Sequence, residues 1–495
     1  MTRTVAVVAE KTVGDAVDQA RRALDAGADL VEFRLDFLTH FTAEDARFLA
    51  RQYGRRAIAT LRSPAEGGAR SPLRERREEI QEEVCRAGFA YVDVELKAEA
   101  DQFDDLRKRA ASSRTQLIAS HHSLAPVGID DMEERIREAC RRGDVGKAAV
   151  QTSDFETALT LLDIARDLAR EGHRFCLIGL GCLGTITRVL ADETLQEFQY
   201  VSADPARSAA PGQLSLAAAL RLRRRPKIVT GLLGHPVEHS ISPTIHDAAF
   251  EALGLPGIYL PFDVGPHELS MVFERAKNLR LRGVNVTIPY KESVLDLLDE
   301  VDPVAEAVGA VNTVRFEDGH ASGHNTDVIG FEQSLRIQGV TVAGRRALVL
   351  GSGGAARAIT HALLRAGADV SLWNRTRGNA EALARHFGGQ PSVVGFEEVA
   401  SSRYDLVVNA TPLGMAGFPA QSPIPSAVWD HAKVALDLVY NPPDTQFLRE
   451  ARSHGAVGVS GLNMLVLQAA RAFELFTGKP APLDAMARAA KGALA

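Results

Sequence analysis

Over roughly the first 220 residues, short apolar runs alternate with amphipathic stretches, and polar residues gather at the C-terminal ends of the runs. The runs are 4–9, 30–35, 57–61, 91–96, 116–120, 147–151, 175–179 and 199–201. Helical patterns such as 13–26 and 155–170 lie between them, and in the latter Leu159, Leu162 and Ala165 keep to one face. Eight alternations in about 220 residues predict an α/β fold of the (β/α)8 TIM-barrel type, for which about 250 residues is typical. We take this domain as residues 1–222.

A barrel of this kind carries its active site where the strands end. Glu32 and Arg34 close the second run, and Arg62 and Glu66 follow the third. His121, Arg188 and Gln213 follow the fifth, seventh and eighth. Each alone reads as a loop residue; their coincidence on one rim points to a site. Lys147 breaks the apolar run Gly146-Lys147-Ala148-Ala149-Val150, where a buried parallel strand should have no charge. Either it reaches solvent at the strand's lower end, or it is a desolvated amine able to attack a carbonyl. The second reading needs a neighbouring proton carrier. His121 is the natural candidate; His122 follows it, and alternation along an extended segment lets only one of the two point into the barrel mouth.

The segments Glu32-Phe33-Arg34, Arg62-Ser63-Pro64-Ala65-Glu66-Gly67-Gly68, Ser120-His121, Lys147, Ile186-Thr187-Arg188 and Ala210-Pro211-Gly212-Gln213 resemble type I 3-dehydroquinate dehydratases. The resemblance implies that Lys147 forms a Schiff base with 3-dehydroquinate. His121, chosen from the family register, would move the proton, and Glu66 would support it. Arg188 would hold the substrate carboxylate, and Glu32, Arg34, Arg62 and Gln213 would bind hydroxyls and order the pocket. The family's serine just before Ala-Pro-Gly-Gln is Ala209 here, with Ser208 one place earlier.

A basic seam, Arg223-Arg224-Arg225-Pro226, precedes a new β-run at 227–234. Further on, the buried-strand pattern 346–350 enters Gly351-Ser352-Gly353-Gly354-Ala355-Ala356 and then a helical stretch. Strand, glycine turn and helix together make a dinucleotide site credible. The next strand pattern ends in Asn374-Arg375-Thr376-Arg377, where arginine suits the 2′-phosphate of NADP and an acid would suit NAD. Asn285-Val286-Thr287-Ile288-Pro289-Tyr290-Lys291 places small polar groups on alternate positions before a lysine. Asn312-Thr313 and Asn325-Thr326-Asp327 add amides and a carboxylate. A lysine near a carboxylate suits protonation of a developing alkoxide. Ser240-Ile241-Ser242 puts two hydroxyls on one side.

Together with 234–243, 309–313, Asn409-Ala410-Thr411 and Gln468-Ala469-Ala470, these segments resemble shikimate dehydrogenases. The resemblance implies a substrate-binding domain at 228–330 completed by about 460–495, and a Rossmann-type NADP domain at 331–459. Lys291 and Asp327 would be the catalytic pair. Ser240, Ser242, Asn285, Thr287, Asn312, Tyr440 and Gln468 would bind shikimate. Gly351, Gly353, Gly354, Ala355, Asn374, Arg375, Thr376, Arg377, Thr411 and Gly461 would surround the cofactor. The product of the first reaction is the substrate of the second, and the whole chain resembles plant bifunctional enzymes of the shikimate pathway. Use of quinate or NAD in the second half remains open, as does a metabolite-sensing regulator, though the latter need not keep Lys147, His121, Lys291 and Asp327, all of which are present.

Composition fits small-molecule chemistry. At 495 residues with a net charge of −6, the chain has no basic excess to attract nucleic acid. No apolar run approaches the roughly 18 residues of a membrane span. Cys85, Cys140, Cys176 and Cys182 show no metal spacing, so no metal is expected. With Val5-Ala6-Val7-Val8 so near the start and no leader pattern before it, a cytoplasmic enzyme is expected.

Overall fold

The structure is a computed structural model that describes residues 2–69, 72–97, 100–204, 210–279 and 281–494. Ser208 and Ala209 lie outside the described residues. The chain divides into two compact units, Met1–Lys227 and Ile228–Ala495.

In the first unit the eight expected strands are all present: β1 (Arg3–Val8), β2 (Leu30–Arg34), β3 (Ala57–Thr60), β4 (Tyr91–Glu95), β5 (Gln116–Ser123), β6 (Val145–Gln151), β7 (Phe175–Leu180) and β8 (Phe198–Ser202). Their order is β7-β6-β5-β4-β3-β2-β1-β8, and every pairing in it is parallel. The barrel is nearly closed. Between β7 and β8, Glu197 N donates to Phe175 O at 2.8 Å, and the Gln196 side chain accepts from Leu177 N at 2.8 Å. An amide side chain thus satisfies backbone where the ladder is missing, as a buried N–H requires.

Alternation fixes what fills the barrel. Val5, Val7, Leu30, Ile58, Tyr91, Ile118, Val145, Cys176, Ile178 and Tyr200 form one buried interior cluster. Two residues further along the same strands come the polar groups, Glu32 after Leu30, Asp93 after Tyr91 and Lys147 after Val145. The outer helices follow local signals. Asp154 accepts from Thr157 N and starts the helix Phe155–Arg170, whose Leu159, Leu162 and Ala165 are buried. The seam is strapped to the barrel's N-terminal face, where Arg223 pairs with Asp29 and bonds Thr4, and Asp192 takes both Arg225 and Lys227.

The second unit holds two sheets. The first is mixed, with order β10-β9-β11-β13-β14-β12: β9 (Ile228–Gly234), β10 (Gly257–Asp263), β11 (Gly283–Val286), β12 (Glu300–Val301), β13 (Thr313–Glu317) and β14 (His320–His324). The second is parallel, with order β17-β16-β15-β18-β19-β20: β15 (Arg346–Leu350), β16 (Asp369–Trp373), β17 (Ser392–Val393), β18 (Leu406–Asn409), β19 (Val434–Asp437) and β20 (Val457–Ser460). The helix Leu462–Thr477 leaves the parallel sheet and packs its Val466, Ala469 and Phe473 with Leu232 and Ile245 of the mixed-sheet half. One chain segment therefore ties the two halves of this unit together.

Two glycines let the helix that carries Arg188 sit on β7. Gly184 and Gly179 touch so closely that a Cβ on Gly184 would lie 2.3 Å from the Gly179 carbonyl carbon. Gly184→Ala is expected to destabilise the first unit by about 1–3 kcal/mol through overpacking. In a urea series followed by amide exchange, the first unit should unfold at lower urea than in the parent, while the second unit keeps its midpoint.

Candidate active sites

The barrel mouth encloses a cavity of about 220 Å³ lined by Glu32, Arg34, Arg62, Glu66, His122, Lys147, Arg188 and Gln213 among others. Lys147 is buried, with its Nζ 3.1 Å from Asp93 Oδ2 and 3.3 Å from Glu32 Oε1. The Tyr200 ring lies beneath it, 3.9 Å from Nζ to the ring centroid. Thr60 donates to the same Glu32 oxygen at 2.8 Å. Arg62 organises the opposite side, donating to Asp93 at 2.8 Å and to Ser120 at 2.8 Å, and pairing with Glu66 at 3.4 Å and Glu95 at 3.3 Å. Arg34 is held bidentate by Asp36, both bonds 2.8 Å.

The electrostatics divide these groups by task. Burial pushes the Asp93 carboxyl upward, but Arg62 and Lys147 outweigh it and hold Asp93 down at about 2. Burial pushes Glu66 up to about 7 against the opposing Arg62. Burial lowers Arg188 to about 10, and its Nε has no hydrogen-bond partner among the described residues. A buried guanidinium left in that state is prepared for a carboxylate.

The histidine assignment is corrected. In β5, Ile118 belongs to the barrel interior and Ser120 bonds the buried Asp93 at 2.6 Å, so the inward positions are even-numbered. His122 therefore faces the cavity. Its Nδ1 is 3.3 Å from Glu66 Oε2, and its backbone N donates to the same oxygen at 3.0 Å. Burial, with Arg62, Lys147 and Arg34 around it, holds the His122 imidazole well below the usual range and thus neutral. His121 points the other way. Its shift, also downward, comes from burial and then from Arg135 and Lys97, and its Nδ1 has no hydrogen bond and approaches Glu66 only to 3.8 Å. Asp93 was missed, although it interrupts Val92-Asp93-Val94 as Lys147 interrupts its own strand.

The second unit has a cavity of about 450 Å³ between the mixed-sheet half and the glycine turn. Ser240, Ser242, Asn285, Thr287, Lys291, Asn312, Asp327, Tyr440 and Gln468 line it with Gly353, Gly354, Ala355, Thr411 and Gly461. Lys291 Nζ donates to Asp327 Oδ2 at 2.6 Å. Asp327 lies in the first turn of the helix Thr326–Ile337, which Asn325 caps by accepting from Val328 N. Asn312 Nδ2 donates to the other Asp327 oxygen at 2.8 Å and reaches Gln468 Oε1 at 3.4 Å. Tyr259, missed in the sequence, donates to Asn285 Oδ1 at 2.9 Å and so fixes which way that amide faces.

The glycine turn suits a diphosphate. Gly351 has φ +110°, and a Cβ there would lie 3.0 Å from Ala410 O. Gly353 precedes the helix Gly354–Arg365, and a Cβ on it would meet nothing within 4 Å, so the space at the helix N-terminus is open. Trp373 O, at the end of β16, accepts from Gly351 N at 2.8 Å, which sets Asn374-Arg375-Thr376-Arg377 beside the turn but outside the cavity. Arg377 is engaged with Glu381 at 2.8 Å. Arg375 is exposed and makes no ion pair among the described residues.

Four family models match: type I 3-dehydroquinase at residues 4–225, the shikimate dehydrogenase substrate binding domain at 232–314, shikimate/quinate 5-dehydrogenase at 333–414, and the shikimate 5′-dehydrogenase C-terminal domain at 461–491. The chloroplastic bifunctional 3-dehydroquinate dehydratase/shikimate dehydrogenase of Arabidopsis thaliana is 31% identical over 97% of this chain and 83% of its own length. This chain belongs to the bifunctional 3-dehydroquinate dehydratase/shikimate dehydrogenase family. Its dehydrogenase unit is also 46% identical to the NADP(+) shikimate dehydrogenase of Methanopyrus kandleri, over 53% of this chain and 94% of that one. The Thermus thermophilus shikimate 5-dehydrogenase, solved with NADP(H) and shikimate, is 43% identical with a TM-score of 0.50, covering 54% of this chain and all of that one.

The dehydratase unit gives a direct test of the histidine geometry. His122→Ala should lower dehydratase kcat by about 10²–10⁴-fold, the range for a lost proton carrier. His121→Ala should cost less than about tenfold in the same assay, because its ring faces away from the cavity.

Proposed function

We propose that the dehydratase unit converts 3-dehydroquinate to 3-dehydroshikimate through a Lys147 Schiff base, and that the dehydrogenase unit reduces this product to shikimate with NADPH. One observation carries the reading: each cavity holds its own lysine within hydrogen-bond distance of a carboxylate, in surroundings suited to opposite uses of the amine.

In the barrel, the Lys147 amine attacks the substrate ketone and water leaves to form the imine. Attack requires the neutral amine, so Nζ must first give up a proton. Asp93 Oδ2 at 3.1 Å and Glu32 Oε1 at 3.3 Å are the carboxylate oxygens within reach of that proton. Neutral His122 takes the C2 proton, and the imine receives the electron pair as an enamine. His122 then returns a proton to the departing C1 hydroxyl, which leaves as water, and hydrolysis of the imine frees Lys147. Arg188 holds the substrate carboxylate. Arg34, Arg62 and Gln213 order the pocket, and Glu66 orients His122.

In the dehydrogenase unit NADPH supplies the hydride when bound. Lys291, hydrogen-bonded to Asp327, gives a proton to the developing alkoxide. Ser240, Ser242, Asn285, Thr287, Asn312, Tyr440 and Gln468 hold the substrate carboxylate and hydroxyls. Gly351, Gly353, Gly354, Ala355, Thr411 and Gly461 shape the dinucleotide site, and Arg375, with Asn374 and Thr376 beside it, selects the 2′-phosphate. Because Arg377 is paired with Glu381, Arg375 carries most of that selection. Among the described residues no helix is long and apolar enough to cross a membrane, and all four cysteines are free, which supports a reducing, cytoplasmic setting.

Three outcomes follow from this assignment. Borohydride added with 3-dehydroquinate should leave a mass adduct on the peptide containing Lys147, and an adduct elsewhere would remove the Schiff-base assignment. Arg375→Ala should raise KM for NADPH by about 10–100-fold and barely change KM for NADH, as expected for a lost charge-assisted contact. A carboxyl raised to about 7 is protonated below that pH and charged above it. The charged form accepts from the His122 backbone N and faces its Nδ1 at Oε2 with no competing carboxyl proton, so dehydratase kcat/KM should climb with pH through about 7, and Glu66→Gln should abolish that limb.

A further inference from the structure

The turn bearing Lys291 is gripped from the dinucleotide side by a residue that the proposed chemistry does not use. The Lys291 stem lies directly on Gly354, where a Cβ would stand 2.8 Å from Lys291 Cβ and 2.9 Å from its Cδ. Arg357, less than one helical turn further along the helix Gly354–Arg365, reaches back to the next residue of that turn. Its Nη2 lies 2.9 Å from Glu292 Oε2. From the other side, Val311 N donates to the Lys291 carbonyl at 2.7 Å. The approach is cleared by Gly309, whose φ is +68° and on which a Cβ would lie 3.3 Å from Arg357 Nη1 and 2.8 Å from His386 Cε1. His386 Nε2 in turn lies 3.0 Å from Ala307 O. Two residues of the dinucleotide half thus hold the mixed-sheet half at one spot, beside the catalytic lysine.

We propose that Arg357 is a positioning residue for the reductase. Through Glu292 it holds the Lys291 turn against the dinucleotide helix and fixes the spacing between the proton donor and the cofactor site. The Arg357 side chain is only 17% exposed, whereas Glu292 is 48% exposed. A pair so open to water adds little to folding stability. Its consequence is geometric, because small misplacements of a reacting group are costly in rate even when the fold is intact. The inference rests on the proposed role of Lys291 and adds the element that sets its position.

The test uses the full chain with Arg357→Gln and Glu292→Gln, singly and together. In the ligand-free proteins, amide exchange across residues 289–295 should quicken equally in both single variants, because the turn loses the same tie. Reductase kcat should fall about tenfold with KM for 3-dehydroshikimate within about twofold, and the double variant should be no worse than either single one. Arg357→Lys should recover part of kcat. Dehydratase turnover on the same polypeptide should be unchanged, which reports an intact chain. Unchanged exchange, additive losses, or a rise in KM with kcat preserved would each overturn the proposal. The exchange readout involves no chemistry at Lys291, so a Lys291→Ala variant that kept full reductase activity would remove the catalytic reading while leaving this tie to be judged on exchange alone.

Discussion

Taking a lysine ammonium out of water is so costly that the protein must either pair it or let it lose its proton, and both units are built around that constraint. In the barrel, Lys147 sits at the centre of a closed set of charges in which Asp93 is shared with Arg62, and Glu32 is shared with Thr60. Arg62 then binds Glu66 and Glu95, so each buried charge has at least one partner of opposite sign or a hydrogen bond. Remove any one of them and another is left uncompensated. Burial raises Glu66 against the pull of Arg62, and burial together with Arg62, Lys147 and Arg34 keeps His122 neutral.

The two lysines end in different electrostatic company, which suits the opposite uses we propose for them. Lys147 has two carboxylates, Asp93, which Arg62 also holds, and Glu32, which also accepts from Thr60. Lys291 has a single short bond to Asp327, whose other oxygen is occupied by Asn312. A nucleophile needs a route for losing its proton, and a proton donor needs a partner that keeps it charged. Each unit completes its own set, and among the described residues none lines both cavities.

Much of this was legible in the sequence because strand periodicity and barrel topology leave few choices. A charged residue within an apolar parallel strand must be either compensated or functional, and Lys147 could be read that way. Asp93 carries the same signal and was passed over, since a lone acid near the end of a strand resembles a solvated terminus until the register places it opposite Thr60 and within reach of Lys147. The choice of histidine went astray for a related reason. Two adjacent histidines differ only in parity, and parity is set by Ile118 and Ser120 packing inward, which the family register did not weigh. In the second unit, the glycine turn, the Lys291–Asp327 pair and the amides were legible as motifs. The Tyr259–Asn285 bond and the Arg357–Glu292 pair were not, because they join segments far apart in sequence whose separation only the fold removes.

Two complete and independent active sites on one chain can be disabled one at a time. The most direct measurement is to follow conversion of 3-dehydroquinate to shikimate, in the presence of NADPH, by Lys147→Ala alone, by Lys291→Ala alone, and by an equimolar mixture of the two. Each variant alone should fail: the first should leave 3-dehydroquinate unconsumed, and the second should accumulate 3-dehydroshikimate. The mixture should complete the sequence. A mixture that stays inactive, or a single variant that forms shikimate by itself, would contradict the account.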